Sequence, residues 1–146
     1  MAAQAWKLYN EAKKKIGNTT LNLASTAFRI TLHTSASNFA TATLSVYSEL
    51  TNEVAEATGY SSSGKALANE AWTVGASAGQ YKFDADDPLW TATTGNIANI
   101  KGAVIWNSST GTFLLVRASL TSTQFTLSSG NTLTLQMNSS GIFTMA

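Results

Sequence analysis

The stretch FDADDPLW, residues 83–90, sets three carboxylates, the single proline of the chain and a tryptophan within eight positions. Asp84, Asp86 and Asp87 are the residue types that open an oxygen-ligand calcium loop, because a hard cation takes several carboxylate and carbonyl oxygens. Such a loop also needs a glycine at its sixth position and a distal bidentate glutamate. Here Pro88 and Leu89 follow directly, and no glutamate occurs downstream. Asp84 and Asp86 would point the same way from a strand, so a cation site here requires oxygens from another loop. The simpler reading is a corner. Proline fixes its own backbone and pushes Asp87 into an extended conformation, the aspartates accept backbone N–H groups, and Trp90 enters the core beyond.

Other residues with chemical potential are few. His33 is the only histidine, so a serine, histidine and acid triad has to use it. No GxSxG elbow is present, and the residues around it read as a strand with the imidazole on its surface. A glycosidase could draw its acid and base from Asp84, Asp86 and Glu70, but nothing in their spacing sets two of them across a cleft. The glycines form no phosphate loop, since GKA at 64–66 lacks both the earlier glycine and the following hydroxyl residue. Trp72, Trp90 and Trp106, with Tyr47, Tyr60 and Tyr81, have the ring faces to stack sugars or nucleobases; in apolar strands such as AVIW the same rings fill a core. Lys13, Lys14 and Lys15 are either a docking patch for an acidic partner or a solvated helix end matched to the dipole.

Composition narrows the partners. With nine basic and eight acidic residues the net charge is +1, so no global field gathers nucleic acid or an anionic membrane. No cysteine occurs, which excludes disulfides, thiolate metal sites and thiol nucleophiles and fits folding in a reducing cytoplasm. Lys7 and Glu11 interrupt any apolar run near the start, so the pattern of a secretory signal is missing. Hydrophobic residues at 44% support a packed core, while charged residues at 12% leave serine and threonine to cover the surface. That skin suits extended contact between proteins, because interfaces tend to exclude lysine and glutamate; equally, threonine is simply a good strand former.

These residues must be positioned by strands. Ala5, Leu8, Ala12 and Ile16 recur at helical spacing and predict one helix over 3–16, closed by Gly17-Asn18. The chain then divides into a helical lead over 1–17 and a single β-sandwich domain over 18–146. From residue 27 the period becomes two: AFRITLHT places Phe28, Ile30 and Leu32 on one face and Arg29, Thr31 and His33 on the other. QYKFDA and NTLTLQMN alternate likewise. IANIKGAVIWN and TFLLVRAS are continuously apolar, as in strands covered on both faces, and NSSTG between them predicts an antiparallel hairpin. YSELTNEVAEA reads either as a short helix capped by Ser48 or as a loop decorated by its charges, and residues 35–43 and 59–65 read as flexible loops. The fold class expected is mainly β, an antiparallel sandwich or barrel-like domain with one short N-terminal helix.

Three segments, taken in order, resemble a known family. KKKIGNTTLNLASTAFRITLHTSA is similar to the opening of small tailed-bacteriophage virion proteins, where a short basic helix and a glycine lead into a strand. VYSELTNEVAEATGYSSSGKAL resembles their middle block and FDADDPLWTATTGNIANIKGAVIWNSSTGTFLL their third, while GIFTM resembles their ending. The resemblance implies a non-enzymatic virion component without cofactor. Its foremost form is a capsid decoration, or cement, protein that binds the major capsid protein and stabilises the head; a tail or neck protein is the close alternative. It implies a homo-oligomer assembled in the bacterial cytoplasm, with contacts from the helix, including Lys13 to Lys15, and from the loops at 35–43 and 59–65, including Tyr60. A carbohydrate-binding module on the aromatic residues is the reading from a different class.

Overall fold

The computed structural model describes residues 3–24 and 27–146. In chain order it contains β1 (Lys7–Leu8), α1 (Asn10–Gly17), β2 (Phe28–His33), β3 (Lys65–Ala66), β4 (Ala71–Val74), β5 (Tyr81–Asp84), β6 (Leu89–Thr91), β7 (Ile97–Ile100), β8 (Gly102–Asn107), β9 (Leu114–Ser119), β10 (Phe125–Leu127), β11 (Thr132–Thr134) and β12 (Phe143–Met145). The fold is mainly β and sandwich-like, and no sheet among the described residues closes into a barrel. Every pairing is antiparallel. The largest sheet has five strands in the order β1-β9-β8-β2-β3, and a second has the order β12-β5-β4. Two-stranded ribbons β10-β7 and β11-β6 complete the set.

The core forms where the two larger sheets meet. Phe28 of β2 contacts Phe83 of β5 edge-on, with centroids 5.1 Å apart, and Phe83 in turn packs on Phe143 of β12 at 5.7 Å. Ile30, Leu32, Ile105, Val116 and Trp90 are all buried around this contact. The predicted hairpin is present: β8 and β9 pair from Gly102↔Ser119 to Trp106↔Leu114, with a bulge near the turn. Trp90 fills the core beyond the 83–90 corner, as the apolar strand after Pro88 requires.

Three expectations are corrected. The helix begins at Asn10, not residue 3, because residues 7 and 8 are drawn into the ladder of β9 and Tyr9 enters the core at the start of the helix; Met1 and Ala2 lie outside the described residues. The 47–57 segment makes only a single 3-10 turn, Tyr47–Glu49. Its cap is the Glu49 carboxylate, which accepts the N–H groups of Ser45 and Val46 at 2.6 and 3.1 Å, and not Ser48. Those same bonds hold the exposed Glu49 carboxyl below its usual range. Finally, β2 is not half-exposed: Thr31 and His33 are fully buried, because the connection from 34 to 54 folds over the face that alternation alone would leave to water.

That connection is fastened rather than loose. Asn38 exchanges hydrogen bonds with Thr51, whose N–H donates to Oδ1 at 2.9 Å, and its amide donates to the Glu49 carbonyl. Phe39 caps Gly102, where an added Cβ would lie 2.2 Å from the phenyl ring. In the 59–65 loop Arg29 donates from its guanidinium to the carbonyls of Ser63 and Gly64 at 2.9 and 2.7 Å. Gly64 has φ +66°, and a Cβ there would stand 1.9 Å from the Ile30 carbonyl oxygen. Gly64→Ala is therefore expected to cost about 2 kcal/mol, read as a lowered urea midpoint.

Candidate interaction surface

The 83–90 carboxylates each have a different partner. Asp84 pairs with Lys82 Nζ at 3.1 Å and also accepts the Ala85 N–H. Asp86 accepts the Asn69 amide at 2.6 Å, and Asp87 accepts the Met137 N–H at 2.7 Å. The corner thus ties β5 and β6 to the segment before β12, with the Pro88 carbonyl accepting the Leu135 N–H at 3.0 Å. Among the described residues no three histidine, aspartate or glutamate side chains converge as metal ligands. Adding calcium or a chelator is expected to leave the melting temperature unchanged; a calcium-dependent rise would return a cation to this corner.

The buried polar groups form a second cluster. His33 sits between Thr31 Oγ1, 2.9 Å from its Nε2, and Ser37 Oγ, 3.2 Å from its Nδ1. Burial lowers its pKa from 6.5 to about 4. Beside it, Glu53 accepts a hydrogen bond from Tyr47 on Oε2 and one from Tyr60 at 2.6 Å on Oε1. Desolvation, then Glu53, raise both phenols above their ordinary range. Tyr60 also accepts the Leu32 N–H at 3.0 Å and is 2% exposed. The ring expected as a contact therefore belongs to the interior, where it locks the 59–65 loop onto β2.

Two of the three lysines at the end of α1 are engaged within the fold. Lys14 and Lys15 approach Glu11 at 3.8 and 3.9 Å, and the Lys15 ammonium lies 4.5 Å above the Phe113 ring. Lys13 is exposed. Such exposed pairs are worth only a few tenths of a kcal/mol, so the helix end reads as solvated charge matched to its dipole.

The tryptophans divide. Trp90 and Trp106 are buried, Trp106 stacked on Tyr47 at 4.3 Å. Trp72 is half-buried and stacks on Tyr81 at 6.0 Å with 20° between the rings. This pair belongs to a larger surface that only register reveals. In the β12-β5-β4 sheet, Trp72 lies opposite Phe83, which lies opposite Phe143; one row outward Val74 lies opposite Tyr81, which lies opposite Met145. All six share one face. The inner row closes the core, and the outer row continues past it into solvent: Val74, Tyr81 and Met145 are 64%, 46% and 42% exposed. Thr73, Lys82 and Thr144 occupy the opposite face. A cleft of about 380 Å³ adjoins the apolar row between Trp72, Met145 and the segment carrying Leu21 and Leu23.

An uncharged apolar row exposed at the end of a sheet makes this face the candidate contact surface. Its chemistry is apolar and aromatic contact, with no general acid, base or nucleophile in the row. No family model matches this chain, and neither a curated protein nor a solved structure does.

Proposed function

We propose that the chain is a non-enzymatic structural component of a tailed-bacteriophage virion, a capsid decoration protein that binds the major capsid protein and stabilises the head. The observation that carries this reading is the outer row of Val74, Tyr81 and Met145 beside Trp72, an apolar sheet face that the described residues leave open to solvent. The three sequence segments similar to phage virion proteins point to the partner. A cement protein acts by burying area on the subunits it bridges, and in a repeated lattice modest contacts add through multivalency. The part-buried Tyr47–Glu53–Tyr60 cluster and the fastened 34–54 connection supply the rigidity such a contact needs.

Electron microscopy of parent virions labelled with an antibody against this chain tests the reading. Label over the heads is the expected result. Label confined to the tail or neck selects the rival structural role, and unlabelled particles overturn the virion reading. One observation favours a second reading, a carbohydrate-binding module: Trp72 and Tyr81 are stacked with Tyr81 open to solvent. Glycans that quench tryptophan fluorescence in wild type but not in Tyr81→Ala would support it.

A further inference from the structure

Residues 3–8 hold the rest of the fold in a particular way. The Gln4 N–H donates to the Ser119 carbonyl at 2.9 Å, Lys7 and Leu8 pair with Arg117 and Val116, and the Tyr9 N–H donates to the Leu115 carbonyl at 3.1 Å. Arg117 adds a guanidinium bond to the Leu8 carbonyl at 3.2 Å. These are bonds to main chain, which any copy of the segment would make identically. Side-chain burial contributes little by comparison. None of the six residues is buried; Ala3, Trp6 and Leu8 reach the core partly, and Gln4, Ala5 and Lys7 are exposed. A cleft of about 540 Å³ runs beside the segment, lined by Trp6 together with Met137 and Phe143 from the other side.

Tyr9 is the opposite. It is fully buried, its hydroxyl donates to the Phe39 carbonyl at 2.6 Å, and the Arg117 guanidinium lies 4.9 Å from its ring. The chain therefore has a fixed pivot at Tyr9 and a lightly held strand before it. Tyr9 itself is in extended backbone, φ −71° and ψ 153°, so a swing about it starts from relaxed geometry.

We propose that β1 is an exchangeable strand, so that when copies of this chain assemble, residues 3–8 of one copy pair with β9 of a neighbour. The occupant is set by the edge itself: β9 already accepts this segment, and a second copy presents the same backbone donors and the same Trp6 and Leu8. Exchange re-forms the pairing of Lys7 and Leu8 with Arg117 and Val116 on the neighbour and loses the advantage of tethering, which a high local concentration of copies restores. A vacated β9 would leave unpaired N–H and C=O groups at a sheet edge, so the exchange must be reciprocal or run round a closed ring. The cleft beside Trp6 would then be walled by two copies. The inference holds for any assembly of this chain and does not depend on the virion reading.

Disulfide capture tests it in the full chain, which has no cysteine of its own. Leu8→Cys combined with Val116→Cys puts thiols on directly opposed residues. Oxidation of the concentrated protein is expected to give reducible species of twice the chain's mass or more, with peptide mapping locating the link between positions 8 and 116 of different copies. Lys7→Cys with Arg117→Cys is the second opposed pair and serves if the first variant does not fold. Internally closed monomers as the only product would overturn the exchange. So would failure of both folded variants to cross-link, since the register itself would then be unpopulated.

Discussion

If the chain decorates a capsid as proposed, Val74→Asp is expected to weaken its incorporation into particles severely while leaving the isolated protein folded. Val74 is 64% exposed on β4, so a carboxylate there stays hydrated in the free chain and changes stability by no more than about 0.5 kcal/mol. In the docked state the same carboxylate would be stripped of water against an apolar partner with no cation in its row. An uncompensated buried charge of that kind costs about 2–5 kcal/mol, a loss of about 30-fold to several thousand-fold in affinity. The check is co-sedimentation of the variant with particles lacking the wild-type chain, beside a urea titration of the free protein. Thr73→Asp, one position along but on the opposite face, is the control and should bind as wild type. Equal binding by both aspartate variants would remove this face from the contact.

The stability of the protein is expected to fall steeply as the pH drops from 6.5 to 4, with His33 the group responsible. In the fold its pKa lies near 4 because burial disfavours the imidazolium, against 6.5 in the unfolded chain. Between those values the unfolded chain takes up a proton that the folded one refuses, so acid favours unfolding. The penalty is absent above about pH 6.5 and complete below about pH 4; at about 1.4 kcal/mol per pH unit it amounts to about 3 kcal/mol. Thr31, Ser37 and the 51–53 segment face the ring. Glu53, which pairs with His33 through the backbone, has its carboxylate held by two tyrosine hydroxyls. Urea unfolding at pH 7.5 and pH 4.5 measures the slope. His33→Gln should flatten much of the difference, and an unchanged slope in that variant would reassign the acid sensitivity to the carboxylates.

Much of the architecture was legible from period alone. Alternation over Phe28, Ile30 and Leu32 predicts the core face of β2, and continuous apolarity across GAVIW and LLVRA predicts the doubly covered hairpin. What period cannot give is the cover. Arg29, Thr31 and His33 alternate like solvent-facing residues, yet a connection made of small polar residues folds across them, and nothing in its composition announces that. The helix start failed for a related reason. Ala5 and Leu8 fit a helical stripe with Ala12 and Ile16, but the ladder offered by β9, more than 100 residues away, outweighs local preference over the first two turns. The exposed apolar row was half legible: Trp72 and Tyr81 stand out in the sequence as aromatics. Val74 and Met145 do not, because only the pairing of three separate strands puts them in one row.

The pairing of β2 with β8 also fixes when the protein can fold. Thr31 meets Val104, 73 positions later, so during synthesis the apolar strand FRITLH leaves the ribosome long before its central neighbour exists. Until β8 emerges, that strand must stay unpaired or be shielded by other means. Nor can its outer neighbour stand in, since β3 contributes only two residues, Lys65–Ala66. Closing so long a loop before any ladder forms slows folding and prolongs the exposure of a sticky edge. The yield of soluble protein should therefore depend on the rate of translation and on chaperone supply more than on the stability of the finished fold.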